Sequence, residues 1–549
     1  MISCLLYEHT DRLGDAPYYD AQSITQDLGL KALFLAASKT VIYDKGQVVR
    51  IGNEDPYIRD CMRRVMMIPL QDREEIRYRQ EILRDFLENE DLAAQFYEIS
   101  SNVLNEWNKL GRSVKDKLQN ANPVTKLISD IRLIHVFSDG LHRMRESMTD
   151  KKQMLHSKGL QSFLSRLTSE FSKEREAYIE RILQDTAFYG ADSEQEEPDG
   201  KVIRPEVVLE CGLEDGLKLS DVKIVRVSSQ MQKFYRRGSA MDKLQDFKNS
   251  RIPDSFSTVK EQAVREDTEK LEYYIVSRLI GTLESFLNDF GNFFDQLHFQ
   301  IAFYQGAVNL KHHMQRFGLS WCYPEVCAQD RLSFTELKEF VMCLEQRVDA
   351  VGNTCELEHK MLLIVTGANQ GGKSTFLRSI GIAQVMMQSG LMVTAEQFES
   401  GIFPDLFTHF TRREDSEMNS GRLDEELKRM NEIIEHLGQH PLILLNESFA
   451  TTTEKEGSVI AYDIVRALRE SGVKILTVTH LLSFAANMYS AYGEIADSDV
   501  EFFSAERKEN GIRTFKMIQH APELTSFGLD LYEEIVEKRS EESKHAQNR

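Results

Sequence analysis

One short run, Thr366-Gly367-Ala368-Asn369-Gln370-Gly371-Gly372-Lys373-Ser374-Thr375, limits what this chain can fold into more than any other feature. It follows the apolar stretch Met361-Leu362-Leu363-Ile364-Val365 and precedes the helix-like Phe376-Leu377-Arg378-Ser379-Ile380. Strand, glycine loop and helix, in that order, are the setting in which G-x-x-x-x-G-K-[ST] binds a phosphate rather than arising as a chance βα turn. Glycines let backbone N–H groups wrap a phosphate without Cβ clashes. The helix start adds donors and a favourable dipole. The run predicts an ATP cradle, with Lys373 reaching the β- and γ-phosphates and Ser374 a ligand of Mg²⁺.

A second strand, Pro441-Leu442-Ile443-Leu444-Leu445, ends in Asn446-Glu447. An apolar strand closing on an acidic pair is the Walker B pattern, whose first acid steadies Mg²⁺ and whose second acts on the attacking water. Here Asn446 holds the metal position. An amide can accept a hydrogen bond from a metal-bound water but brings no charge, so weaker metal binding or slower turnover is expected. Glu447 is the candidate general base. The next strand, Val473-Lys474-Ile475-Leu476-Thr477-Val478, leads into Thr479-His480. Ligands gather at the carboxyl ends of parallel strands, which makes His480 a candidate for contact with the γ-phosphate or the water. Between the phosphate loop and the second strand, Ser420-Gly421 precedes a helix-like segment; it is either a phosphate-binding element or an N-cap.

The chain has 549 residues, enough for about three or four domain-sized pieces. Its 41% hydrophobic and 28% charged content is that of a globular protein. No run of about 18 apolar residues could span a membrane. The N-terminus lacks the basic and apolar regions of a signal peptide. The seven scattered cysteines match no zinc spacing and suggest reduced thiols and a cytoplasmic location. A net charge of −20 argues against a surface that tracks nucleic acid throughout, though not against a local basic patch.

The expected fold is mixed: an α-helical core and lever with a small α+β tip, followed by a P-loop α/β domain of the ABC type. Residues 1–120 form the first part of the helical core. Residues 121–350 form lever helices with a tip inserted at about 200–255, residues 351–540 the ATPase domain, and residues 541–549 a polar tail. Proline-free stretches before Pro198 and Pro324 predict two helical arms, with Gly281 and Gly291 as candidate kinks in the second. Within the tip, Val207–Cys211 and Val222–Val227 read as strands. Lys233, Arg236, Arg237, Lys243, Lys248 and Arg251 then form a basic cluster, either a solvated face or a DNA contact.

Together these motifs resemble the MutS family of DNA mismatch-repair ATPases. The phosphate loop is similar to that family's, with Ala368 where proline is usual and Gln370 where methionine is common. Val393-Thr394-Ala395, Phe410-Thr411-Arg412, Ser420-Gly421-Arg422, Thr451-Thr452-Thr453, Glu456-Gly457, Thr479-His480 and Thr525-Ser526-Phe527-Gly528 follow at family-like spacing. Pro69-Leu70 and Tyr78-Arg79-Gln80 are similar to the start of its helical core. The resemblance implies a dimer in which Ser420 and Gly421 reach the partner's nucleotide. It also implies a clamp that grips DNA, branched or duplex, at the basic cluster. The chain begins where the helical core begins, so mismatch-reading and connector domains are not expected. Phe96-Tyr97-Glu98 looks like the mismatch wedge only by coincidence, within a helix. The expected function is ATP binding and hydrolysis coupled to clamping DNA in repair or recombination. The alternatives are a nucleotide-gated binding module with negligible hydrolysis and an ATPase acting on a protein or RNA.

Overall fold

The computed structural model describes residues 4–9, 16–44, 47–117, 123–170, 203–214, 218–231, 258–348, 350–411, 421–508 and 512–522. The chain divides into two compact units rather than consecutive pieces. One comprises residues 94–155 and 161–299; the other comprises 3–93, 156–160 and 300–549.

The second unit holds a six-stranded sheet. In spatial order its strands are Leu406–Phe410, Leu442–Asn446, Lys474–Val478, Leu362–Thr366, Val500–Arg507 and Arg513–Gln519. The first five run parallel and the last antiparallel. Leu362–Thr366, Leu406–Phe410 and Lys474–Val478 are buried at every position, as a parallel strand is covered on both faces, and the run Leu362-Leu363-Ile364-Val365 is correspondingly apolar. Ile364, Ile443, Leu445 and Ile475 join a core with Val465 and Phe484 from the helices Glu454–Glu470 and Leu482–Tyr492. Lys373–Gln388, the helix after the phosphate loop, is buried along most of its length.

The N-terminal segment fixes the far end of that helix. Leu70 N–H donates to Gln388 O at 2.8 Å, and the Gln388 amide donates back to Leu70 O at 3.3 Å. Arg79 is completely buried, yet its guanidinium donates to Leu6 O at 2.9 and 3.1 Å and to Ser389 O at 3.0 Å. A buried charge is tolerable only when its donors are met in this way. Segments 310 residues apart are thereby tied into one body. This N-terminal part is not helical throughout, as a hairpin joins Lys39–Asp44 to Gln47–Glu54. A further sheet pairs Glu325–Val326, Gln397–Ser400, Leu332–Leu337 and Asn353–Leu357.

The first unit is mainly helical. Phe137, Phe290 and Phe294 stack in its core beside Trp107. One helix runs from Thr258 to Arg316 through both Gly281 and Gly291, so neither glycine breaks it. Gly291 serves a close approach instead. A Cβ there would lie 3.0 Å from the Trp107 ring, so the indole packs where a side chain would stand. In the tip, the two strands are longer than the sequence suggests, Ile203–Glu214 and Lys218–Met231, and pair antiparallel. Phe96 lies within the helix Glu90–Lys117, fully buried and packed on Phe163. The basic cluster Lys233 to Arg251, Ser420 and the Thr525–Gly528 element lie outside the described residues.

Candidate nucleotide site

The carboxyl ends of three neighbouring strands bring the sequence-predicted groups together. Val365 pairs with Val478, and Val478 with Asn446, so the phosphate loop, His480 and Glu447 emerge side by side. The phosphate loop needs glycine at specific points. Gly367 has φ 111°, and a Cβ there would lie 2.8 Å from Ala505 N. Gly372, at φ 92°, opens the helix. Lys373 is buried and its ammonium donates to Gly367 O at 2.8 Å and Ala368 O at 3.2 Å. Burial pushes its pKa down, and Glu447 opposes that shift.

Ser374 Oγ donates to Asn446 Oδ1 at 2.8 Å. The two groups assigned to the metal are thus adjacent, and both offer the hard oxygen atoms that suit Mg²⁺. Glu447 follows in a left-handed conformation at φ 56°. Its carboxylate accepts the His480 backbone N–H at 2.9 Å and faces His480 Nδ1 at 2.5 Å. That contact holds the His480 imidazole above its usual pKa. Gly421 precedes the helix Arg422–Glu435 with φ −64°. Nothing in the described chain comes within 4 Å of a Cβ placed on it, in contrast to the crowded phosphate-loop glycines.

A cleft of about 490 Å³ joins Asn369–Phe376 and Glu447 to a wall formed by Leu337, Met342, Val348, Val351 and Phe515. Its size and apolar wall suit a nucleotide's base beside its phosphates. No sequence motif signals this wall. Phe515 shows only as an alternating residue of an edge strand, and its φ of 60°, which departs from strand geometry, appears only in the fold. Thr411 is another addition: its hydroxyl donates to Glu447 O at 2.7 Å. Its sole sequence signal was membership of Phe410-Thr411-Arg412.

Fold and site define a P-loop nucleotide-binding domain. The family model for MutS domain V matches residues 363–540, and that for the MutS2 N-terminal domain matches 71–317. The chain belongs to the MutS family. Among its curated relatives, the Endonuclease MutS2 of Thermus thermophilus is 34% identical over 138 residues, which are 24% of this chain and 18% of that protein. The Endonuclease MutS2 of Staphylococcus aureus (strain JH9) is 30% identical over 161 residues, 29% of this chain and 20% of the relative. The alignments thus span about a fifth of those proteins' length. No helix among the described residues is long and apolar enough to cross a membrane.

Proposed function

We propose that the protein hydrolyses ATP and couples nucleotide occupancy to clamping of DNA, branched or duplex, as a homodimer in repair or recombination, without reading mismatches. The observation that carries the reading is the convergence of Lys373, the Ser374–Asn446 pair and the Glu447–His480 pair at adjacent strand ends. On binding, Lys373 leaves the Gly367 and Ala368 carbonyls for the β- and γ-phosphates. Ser374 and Asn446 would hold Mg²⁺, which supplies charge neutralisation at the phosphates. Glu447 takes the proton of the attacking water as the γ-phosphorus bond to ADP oxygen breaks. His480 keeps that carboxylate in place through its backbone N–H and ring. Ser420 and Gly421 would complete the partner's site. The hairpin Ile203–Met231 and the following Lys233, Arg236, Arg237, Lys243, Lys248 and Arg251 would meet DNA, in the role of a clamp at the end of the lever helices.

The test is phosphate release from Mg-ATP with no DNA and with single-stranded, duplex and branched DNA. DNA-stimulated turnover supports the reading and identifies the preferred structure. Neutralising Arg236, Arg237, Lys243 and Lys248 should then weaken DNA binding and lower its salt slope by about one per charge removed. A second reading is favoured by Asn446: ATP assembles the protein and hydrolysis is negligible. Tight ATP binding with no phosphate release under any DNA condition would establish it in place of the first. The endonuclease named in the relatives belongs to proteins of which this chain matches about a fifth.

A further inference from the structure

We propose that His409 and Glu426 are positioning residues for hydrolysis, gripping from two sides the left-handed turn that presents Glu447. The inference rests on the reading of Glu447 as general base. Glu447 and Phe449 both have positive φ, 56° and 63°, and neither is glycine. Such conformations are disfavoured for residues with a Cβ and persist only where the surroundings over-determine them.

The surroundings here are specific. Ser448, between the two strained residues, is buried. Its hydroxyl donates to His409 O at 2.8 Å and lies 2.8 Å from His409 Nδ1. The His409 ring is completely buried and stacks on Phe449, with ring centres 5.6 Å apart and planes 26° apart. His409 Nε2 faces Glu426 O at 3.1 Å, and since a carbonyl only accepts, that nitrogen carries a proton. The Glu426 carboxyl accepts the Thr451 hydroxyl at 3.2 Å and lies beside the Phe449 amide. Burial pushes its pKa up, and Thr451 and the Phe449 amide oppose the rise. Gly457 backs the turn so closely that a Cβ there would stand 2.4 Å from Phe449 O.

His409 comes from the edge strand of the sheet, and Glu426 from the helix that Gly421 opens. A shift of that helix is therefore felt at the base, through Glu426 and then His409 and Thr451. None of these groups touches the nucleotide cleft, so their effect falls on the chemical step and not on binding.

The experiment measures kcat for ATP hydrolysis and the Kd of a non-hydrolysable ATP analogue in the full chain. His409→Leu and Glu426→Ala should each lower kcat by about tenfold or more, a small displacement of a catalytic group being enough for that. Kd should stay within about twofold. Glu426→Gln keeps an acceptor for Thr451 and should restore most of kcat. A merely structural role would lower binding and turnover together and would not spare the glutamine. If the buried variants fail to fold, Ser448→Ala removes a single hydroxyl and should still lower kcat severalfold with Kd unchanged. Unchanged kcat in the folded variants overturns the inference, while loss of turnover in Glu447→Gln leaves the base reading standing. Full turnover in Glu447→Gln, or none in the parent protein, overturns both.

Discussion

The phosphate loop and the turn after Asn446 leave the same sheet two strands apart, and both place residues at positive φ. They sustain it by opposite means. In the loop the departures fall at Gly367 and Gly372, which have no Cβ to clash, and at Gln370. In the turn they fall on Glu447 and Phe449, whose side chains cannot be dispensed with. A phosphate cradle works with backbone N–H groups, so glycine suffices. A base, the role proposed for Glu447, must bring a carboxylate, and the conformation of this turn is held by neighbours: Thr411, Val478, His409 and Glu426. The cradle is consequently written in one contiguous segment, while the base depends on partners scattered from 409 to 478.

The sharpest way to separate the two is chemical. Lys373→Ala and Glu447→Gln should each lower turnover by about a hundredfold or more, the usual loss when a charged or hydrogen-bonding group at the reacting centre is removed. Only Lys373→Ala should also weaken ATP binding, which phosphate release and analogue titration would show together. Loss of binding in both would erase the division between cradle and base.

Next in size is strain. Gly367→Ala should destabilise the protein by about 1–3 kcal/mol in denaturant unfolding, because φ is positive and Ala505 leaves no room. At Glu447 the order reverses. Glu447→Gly should be more stable than Glu447→Ala by about 1 kcal/mol, since both lose the carboxylate and only alanine keeps the left-handed penalty. Equal stabilities would mean that the turn carries no strain.

A smaller effect concerns the metal. Asn446→Asp places a charge next to Ser374 and should lower the Mg²⁺ needed for half-maximal turnover by about three- to tenfold, a charged acceptor being roughly twice as strong as a neutral one. An unchanged Mg²⁺ titration would remove Asn446 from the metal's surroundings.

The smallest effect is in pH. Glu447 raises the His480 pKa, so the contact's contribution is present at lower pH and disappears as pH rises through the raised value. The stability gap between the parent and His480→Gln should be full below about pH 6.5 and narrow as pH rises above it. A gap that widens with pH would show the pair titrating in the opposite sense.

Much of the site was legible because its signals are local. The phosphate loop, the Asn446-Glu447 strand end and Thr479-His480 each lie within a few residues of an apolar run, and such runs mark buried parallel strands. His409, Glu426 and Thr411 were not legible as functional. Their roles follow from strand order: Phe410 pairs with Asn446, which sets the Leu406–Phe410 strand and its flanking helix against the base. Gly291 taught the converse. In isolation a mid-helix glycine suggests a bend, since it costs about 1 kcal/mol relative to alanine. Trp107 packed against it gives the position a different purpose.

By itself, then, the sequence determined a phosphate-binding βα unit, the two later strands that end at Asn446 and Val478, and the largely helical character of the preceding half. Backbone propensity and apolar period act over a few residues, and those elements need nothing more. Only the tertiary structure decided which strand lies beside which, that Arg79 ties the N-terminal segment to the end of the phosphate-loop helix, and that the buried His409 packs against the turn carrying Glu447. Those arrangements depend on contacts between residues tens to hundreds of positions apart, for which a linear pattern holds no record.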